Sequence, residues 1–525
     1  MWISSRLPPR SPKRLGGNAT LASLTMTQPT AGNDSIAISA TDGFGNSPVT
    51  ASKIAVVTNA APTISAPTGQ VVTVASAGAL SGIAVAEAGS TNGVNFSVTL
   101  ASATATFAAK GSGSAVVTGS TTATLAVSGT LADVNSTLAS LTVTEGAVGY
   151  DKITVTAKAG FGNAATPASV TLTGIAAGQT VITGTTAKST ITATGTNQTL
   201  VSQAAGQTLT GNTAGMVTFF GGSDTRIVAA GSGNKVFVAA GNHSIALGAN
   251  NNSLVMADGN NTVSGTGKGN AITGGTGNNT ITGLTGIATI SLGNGNNTIM
   301  LSGGSNKITV GTGTNRINAG TGGGGFVSAG DGPTTVALGG AGNTVMLGHG
   351  ANAVTSTGAS AAITAGDGGN TVVLTGSGSK VTLGAGNDSV QATVGAQMIR
   401  AGLGLNSITF AGSGNTIVNE GGKDTLMDKG TNNAIVLSAT GTTTLMGPVL
   451  TNGDVFDLRA VLAATGWDHS QATIGSYLTM GLSGPHATLV LTPSGVPGGP
   501  SNTIAIFNGS GTVPLSTFLP HALLY

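Results

Sequence analysis

Cysteine is absent from the 525-residue chain, which excludes disulfide bonds, thiolate catalysis and Cys-ligated zinc. Charged residues make up only 7% of the sequence and aromatic residues only 3%. No run of 18 apolar residues occurs, so the sequence predicts no transmembrane helix. The first 17 residues are basic, but no apolar stretch follows them, and we therefore predict no Sec signal peptide.

Glycine is abundant, with 86 residues of 525, more than double its average share. Disordered chains combine low hydrophobicity with high charge, whereas this chain is 39% hydrophobic and can bury a core. Glycine combined with Thr, Val and Ile favours short strands that are joined by tight turns. We therefore expect an all-β fold.

The net charge of +2 originates at the N-terminus. Arg6, Arg10, Lys13 and Arg14 supply four positive charges before residue 15, so the rest of the chain is slightly acidic. A nucleic-acid-binding surface requires a basic stripe or patch, and none follows along the sequence. We therefore predict no nucleic-acid partner.

A long tandem repeat occupies the N-terminal third of the chain. NATLASLTMT at Asn18 recurs as NSTLASLTVT at Asn135, and GFGN at Gly43 recurs at Gly160, in each case 117 residues later. Segments between these motifs, such as ITVTA at Ile153, alternate apolar and polar residues, which predicts half-buried strands. Gly, Asn and Pro separate them, as in an antiparallel β-sandwich.

With APTISAPTG at Ala61, this repeat resembles the immunoglobulin-like or cadherin-like tandem repeats of large bacterial surface adhesins. The resemblance implies an Ig-like β-sandwich over 58–176. Residues 18–57 match only the tail of the repeat, so we expect that the chain is truncated or that its start lies inside a longer gene. Residues 1–17 are unrelated to the repeat, and we predict that they are disordered.

From about residue 180 an apolar residue recurs at every ninth position as far as Ile435. The series contains one polar stop, Thr218, and one extra residue in the run Gly322–Gly325. A strand of about three residues cannot bury its apolar side chain alone, but stacked copies can. We therefore predict a parallel β-solenoid over 177–450 in which the apolar stops point inward.

The repeat resembles the nonapeptide of RTX β-rolls, most closely in GNGNNTI at Gly293 and GAGNDSV at Gly384. In that family two nonapeptides form one turn of a parallel β-roll. The resemblance therefore implies about 14 turns and a rod about 65–70 Å long, at roughly 4.8 Å for each stacked strand.

In the RTX family the Asp two residues before the apolar stop supplies the calcium-binding carboxylate. Here that position is Asp only at Asp388 and Asp424. The position is Asn at Asn234, Asn252, Asn261, Asn270, Asn279, Asn297, Asn306, Asn315, Asn343, Asn352, Asn370, Asn406, Asn415 and Asn433.

The affinity of a site for calcium follows the charge of its ligands, so we expect most turns to bind calcium weakly or not at all. The alternative is a ladder of stacked amides that hydrogen-bond along the rod. Asp388, Asn406 and Asp424 are spaced one turn apart, and we predict that any remaining calcium site lies on the edge that they form.

Residues 451–525 leave the nine-residue frame. GDVFDLRAVLAATGWD at Gly453, ATLVLTPSG at Ala487 and NTIAIFNGSG at Asn502 resemble, in this order, the C-terminal target domain of type I secreted proteins. The resemblance implies that a type I (ABC) exporter recognises this segment. The segment also suits a cap, because the end of a solenoid exposes a strand edge and an apolar face.

The sequence contains no G-x-S-x-G, H-E-x-x-H or P-loop motif, and its five histidines indicate no catalytic set. We therefore predict a non-enzymatic, secreted or cell-surface structural or adhesion protein that binds an unknown surface or matrix ligand. Two alternatives remain open. The chain is the non-catalytic repeat-and-secretion tail of a secreted hydrolase or toxin truncated at its N-terminus, or it is an ice-binding solenoid.

Overall fold

The computed structural model describes residues 32–39, 49–56, 61–88, 95–160, 162–212 and 216–525. Strands account for 46% of the chain and helices for 5%, which confirms the prediction of a fold that is nearly all β. The chain divides into two compact units, Met1–Gly174 and Ile175–Tyr525. The predicted disorder of residues 1–17 and the repeat copy at Asn18 lie outside the described residues.

The first unit consists of antiparallel strands. Strands Gly32–Ser39 and Val49–Val56 pair with each other. A six-stranded sheet contains, in spatial order, Gly69–Thr73, Ala168–Ile175, Gly149–Ala159, Asn95–Ala101, Thr124–Thr130 and Val116–Thr118. A three-stranded sheet contains Ala77–Ala79, Thr142–Thr144 and Thr106–Ala108, and Thr63–Ser65 pairs with Ala84–Ala86.

Residues of the six-stranded sheet, of the three-stranded sheet and of the helix Leu131–Leu138 share one hydrophobic core. The side chain of Thr130 accepts a hydrogen bond from the backbone N of Asp133 and so caps the first turn of the helix. This helix was not predicted from the sequence. The repeated motif that begins at Asn135 contributes helix first and only then the strand Thr142–Thr144.

The second unit is a solenoid with two strands in each coil, one in each of two parallel sheets. Neighbouring strands of one sheet are 18 residues apart, as in the pairing of Ile281 with Ile299. The 17 strands of sheet one are Thr180–Gly184, Gln198–Ser202, Thr218–Gly221, Lys235–Val238, Ser253–Met256, Asn270–Gly274, Ala288–Leu292, Lys307–Val310, Phe326–Ala329, Thr344–Leu347, Ala362–Ala365, Lys380–Leu383, Met398–Arg400, Thr416–Val418, Ala434–Val436, Val455–Asp457 and Ala522–Leu523.

Sheet two alternates with sheet one along the chain. Its 18 strands are Thr190–Thr192, Thr208–Thr210, Arg226–Ala229, Ser244–Leu247, Thr262–Gly265, Thr280–Thr282, Thr298–Met300, Asn315–Asn318, Thr334–Leu338, Ala353–Ser356, Thr371–Leu374, Ser389–Ala392, Ser407–Ser413, Lys423–Thr431, Thr442–Met446, Leu478–Ser483, His486–Leu491 and Asn502–Phe507. About 15 coils give a rod about 70 Å long.

The predicted apolar stops point inward. Ile281 and Ile299 are buried, and stacked Ile, Val and Leu side chains form one continuous core along the rod. Burial of each such side chain contributes about 1.5–3 kcal/mol before entropy is counted. Stacking of identical positions therefore supplies the core that a single short strand lacks.

The interruption predicted at Thr218 is wrong, because Phe219 takes the apolar position there. Phe219 pairs with Leu200 on one side and with Val236 on the other. The spacing from Leu200 to Phe219 is therefore one residue longer than the usual 18, and the spacing from Phe219 to Val236 is one residue shorter. The frame shifts for a single strand, and the apolar column stays unbroken.

The extra residue in the run Gly322–Gly325 is accommodated between strands. Ile317 pairs with Val336 and Ile308 with Val327, each one residue more than the usual 18 apart. Both sheets continue through this point, because the glycine-rich connection accepts the insertion without a side-chain clash.

Each coil turns at two corners. The corner that leads from sheet one to sheet two carries a column of stacked glycines, of which Gly259 is one. Its φ is +144°, and a Cβ there would lie 1.8 Å from the carbonyl oxygen of Gly241 in the preceding coil. The glycines in this corner therefore allow the close approach of successive coils.

The C-terminal segment continues both sheets. Asn502–Phe507 pairs in parallel with Thr442–Met446, and His486–Leu491 and Leu478–Ser483 extend the same sheet as antiparallel strands. Ala522–Leu523 pairs in parallel with Val455–Asp457 in sheet one. The segment also contains the helices Arg459–Ala463, Ile474–Tyr477 and Leu515–Phe518 and the 3-10 turn Leu519–His521. It covers this end of the solenoid.

Candidate functional site

A ladder of buried amides lines both corners of the solenoid. Where an Asn lies two residues before an apolar stop, its side chain is almost fully buried, as at Asn261, Asn279 and Asn297. The side-chain oxygen of Asn279 accepts a hydrogen bond from the backbone N of Asn261 at 3.2 Å, and that of Asn297 accepts from the backbone N of Asn279 at 3.2 Å. The side chain of one coil thus satisfies a buried backbone donor of the coil before it.

The other end of each amide closes its own corner. The Nδ2 of Asn279 donates to the carbonyl oxygen of Gly277 at 3.1 Å and to the Oδ1 of Asn297 at 3.2 Å. An amide is suited to this position because it donates and accepts at once. The geometry is that of the amide ladder, with hydrogen bonds that run from coil to coil along the rod.

The structure brings Asp388, Asn406 and Asp424 together on one edge, as the sequence predicts. All three side chains are buried. The backbone N of Asp388 donates to the Oδ1 of Asn406 at 3.0 Å, and both the backbone N and the Nδ2 of Asn406 donate to the Oδ1 of Asp424, at 3.0 and 2.8 Å. The Oδ1 of Asp388 accepts from the backbone N and the Nδ2 of Asn370 in the same way.

The two carboxyls therefore occupy amide positions and face N–H donors. Burial, as the main cause, raises the pKa of Asp388 and raises the pKa of Asp424 to about 6. The Oδ2 of Asp388 is buried without a hydrogen-bond partner. A calcium ion needs six to eight oxygen ligands, whereas the Oδ1 atoms of this edge already accept hydrogen bonds from the chain. In the part of the chain that the structure describes, no group of three or more Asp, Glu or His side chains could hold a metal ion.

His243 occupies an amide position of the ladder, as the sequence indicates. Its Nδ1 accepts a hydrogen bond from the backbone N of Thr225 at 3.1 Å, and its Nε2 lies 2.9 Å from the carbonyl oxygen of Ala239. These contacts fit the neutral ring with its proton on Nε2. Burial is the main cause that lowers the pKa of His243, so the ring stands in for a neutral amide.

A second ladder, which the sequence reasoning missed, runs along the exposed side of the corner. The Oδ1 of Asp258 accepts from the backbone N of Thr276 at 2.7 Å, and the Oδ1 of Asp367 accepts from the backbone N of Ala385 at 2.6 Å. Here the side chain accepts from the coil that follows it, whereas the buried amides accept from the coil that precedes them. Each corner is thus hydrogen-bonded in both directions along the rod.

The last coil holds a buried pair of carboxyls that the sequence reasoning also missed. Asp428 and Asp454 are both buried. Asp428 accepts hydrogen bonds from the backbone N of Gly430 at 2.7 Å and from the Nδ2 of Asn452 at 2.6 Å. The Oδ1 of Asp454 accepts from the backbone N of Asn433 at 2.8 Å, whereas its Oδ2 is buried without a partner.

Two grooves lie where the C-terminal segment joins sheet two. One, of about 410 Å³, is lined by Lys423, Thr442, Ser501 and Asn502 among others. Outside this groove, the His486 ring accepts a hydrogen bond from a backbone N, as the His243 ring does. The groove thus presents hydroxyl and amide groups and one lysine, which are groups suited to hydrogen bonding.

Comparison of the chain with protein family models, with curated proteins and with solved structures found no match. In the described residues, no helix is both long enough and apolar enough to span a membrane.

Proposed function

We propose that this protein is a secreted or cell-surface structural repeat protein that a type I (ABC) secretion system exports and that serves in adhesion or in a matrix. The observation that carries the proposal is the rod itself. About 15 coils repeat a nine-residue pattern that resembles the RTX nonapeptide, and a C-terminal segment that resembles a type I secretion target domain follows them. We place the protein outside the cell or on its surface.

Three features support an extended structural role. Repetition of one coil produces length without a deep cleft, and a rigid rod can hold an adhesive domain away from a surface. The core is mostly aliphatic, and buried amides hydrogen-bond the corners from coil to coil, which supports a rod that its own side chains hold together. The antiparallel strands of the first unit are consistent with the Ig-like sandwich repeat implied by the resemblance to adhesins.

Ice binding is less well supported than a structural role. Many outward positions of sheet two carry Thr or Ser, as at Thr262, Thr280 and Thr298, but the exposed side chains of Arg226 and Arg316 occupy the same row. A long charged side chain displaces the ordered water that a flat row of hydroxyls would hold.

Export can be tested by deletion in a host that carries a matching type I exporter. We expect that deletion of 454–525 abolishes secretion and that deletion of 1–17 does not. A matched control removes the same number of residues from inside the rod. Deletion of 236–307 takes out four whole coils and joins Lys235 to Ile308 in register, because Lys235 and Lys307 occupy equivalent positions.

This control chain keeps the C-terminal segment and should still be secreted. Secretion of the chain that lacks 454–525 would refute the proposed route. So would intracellular retention of the folded four-coil deletion, because that chain keeps the segment that the proposal makes responsible for export.

A further inference from the structure

The buried carboxyl pair of the last coil has no cationic partner. Asp428 and Asp454 are 2% and 0% exposed, and their hydrogen-bond donors are the neutral groups of Gly430, Asn433 and Asn452. The ion pairs found in the described residues all lie elsewhere. Two like charges buried side by side are strongly unfavourable, so one of the two carboxyls must bind a proton.

The hydrogen bonds indicate which carboxyl holds the proton. Asp428 accepts from three donors, at 2.6 to 3.2 Å, as expected of an ionised group. The close donor of Asp454 is the backbone N of Asn433 at 2.8 Å, and its Oδ2, beside the Asp428 carboxyl, has no hydrogen-bond donor. Hydrogen bonds favour the charged form of the group that accepts them, so the proton belongs on Asp454.

Asp454 lies where the C-terminal strand docks. The strand Val455–Asp457 begins at the next residue and pairs in parallel with Ala522–Leu523. The backbone N of Leu458 donates to the carbonyl oxygen of Leu523 at 2.9 Å. Asp454 therefore lies at the junction between the last coil and the strand docked on it.

We propose that Asp428 and Asp454 form a proton-operated latch, in which protonated Asp454 keeps the last coil closed on the C-terminal strand and loss of this proton weakens the docking. The inference goes beyond the proposed function and does not depend on export.

The direction of the pH effect follows from linkage. Burial, followed by the neighbouring Asp428 carboxyl, raises the pKa of Asp454 from its ordinary value of 3.8 to about 7. Once the coil opens and water reaches the side chain, its pKa returns towards the ordinary value. The closed state then binds more protons than the open state between these two values, so opening becomes about tenfold more favourable for each pH unit between pH 5 and 7 and levels off above that.

One other titratable side chain approaches Asp454 in the described residues. The Nδ1 of His521 lies 3.3 Å from the carbonyl oxygen of Asp454. Because the imidazole of His521 is itself ionisable, its contribution to any pH dependence has to be separated. Replacement by Gln keeps a hydrogen-bonding group and removes the titration.

Hydrogen exchange of the full chain tests the latch. The readout is the protection of Leu458 and of residues 519–525 at pH 5, 6 and 7, relative to residues 272–300 of the same molecule, which contain no ionisable side chain. In the wild-type chain this relative protection should fall about tenfold per pH unit. In the Asp454→Asn variant the relative protection should not change with pH, because the amide does not titrate. The variant should still fold, since an amide occupies the equivalent position two residues before the apolar stop in most coils. In His521→Gln the wild-type slope should persist.

The same experiment can overturn the proposal. Relative protection that does not vary with pH in the wild-type chain would refute it, as would the same slope in Asp454→Asn. Loss of the slope in His521→Gln with its retention in Asp454→Asn would assign the effect to the histidine. If Asp454→Asn lost the circular dichroism of the solenoid, the proposal would also fail, because it requires a neutral group to be tolerated here. In Asp428→Asn the slope should shift to lower pH, because the like-charged neighbour is removed.

Discussion

Replacement of Asp424 by Asn should stabilise the solenoid at neutral pH. Asp424 is a carboxyl at a position that most coils fill with an amide, and it is buried. Its Oδ1 accepts hydrogen bonds from the backbone N and the Nδ2 of Asn406 at 3.0 and 2.8 Å. Asn in this position keeps the accepting oxygen and removes the charge. The variant thus tests whether the ladder selects neutral groups.

The magnitude follows from the proton equilibrium of Asp424. Its pKa is raised from 3.8 to about 6, with burial as the main cause. An acid whose folded-state pKa is raised contributes its full stability below the unfolded value and loses it as the pH rises through the folded value. The wild-type chain therefore loses up to about 3 kcal/mol between pH 4 and pH 7, at 1.36 kcal/mol per unit of pKa. Asp424→Asn should recover this free energy at pH 7 and gain almost nothing at pH 4.

Thermal melting of the full chain, followed by far-ultraviolet circular dichroism at pH 4 and pH 7, measures the effect. Asp258→Asn is the matched control. Asp258 also accepts a hydrogen bond from a backbone N of a neighbouring coil, but it is exposed, and its hydrogen bonds to Thr276 lower its pKa. This control should show no gain at pH 7. An Asp424→Asn chain that melts no higher than the wild type at pH 7, or that gains equally at pH 4, would refute the reasoning.

Two further predictions concern calcium and the amides themselves. The chain should keep its β-type circular dichroism in a chelator, and millimolar calcium should raise its melting temperature only modestly, with no shift in an Asp388→Ala, Asp424→Ala double variant. A chain that unfolds in chelator would contradict this. Asn279→Ala should cost about 1–3 kcal/mol in urea unfolding, because the buried N–H of Asn261 loses its acceptor. Asn278→Ala, one residue earlier and exposed, should cost less, and an equal cost would contradict a special role for the buried amides.

The sequence predicts the solenoid well because the fold repeats. Every coil offers the same evidence, an apolar residue at the ninth position with a Gly- and Asn-rich corner before it, so the inward direction of Ile281 and Ile299 could be read from the period alone. The frame shift at Phe219 could not. Two compensating changes of one residue look like a polar stop at Thr218 until strand pairing shows which side chain enters the core.

The polar contacts were predictable only in part. The spacing of Asp388, Asn406 and Asp424 placed them on one edge, because residues 18 apart stack in a two-strand coil. The same spacing did not show that their oxygens face N–H donors, since that depends on the orientation of the corner backbone. The burial of Asp428, in contrast, could have been predicted from the sequence. It follows the stop Leu426 by two residues, and alternation along a strand turns such a residue inward.

The titratable groups of the buried ladder give the two ends of the rod opposite responses to acid. His243, near the N-terminal end, is neutral in the ladder because its Nδ1 accepts from the backbone N of Thr225. A second proton on Nδ1 would face that N–H, and the lowered pKa of His243 means that this contact is lost as the pH falls through its titration. Burial, as the main cause, raises the pKa of Asp424 to about 6 and that of Asp454 to about 7, near the C-terminal end. Protonation therefore acts in opposite directions at the two ends, because a proton on His243 disrupts a contact of the ladder, whereas a proton on Asp424 or Asp454 removes a buried charge.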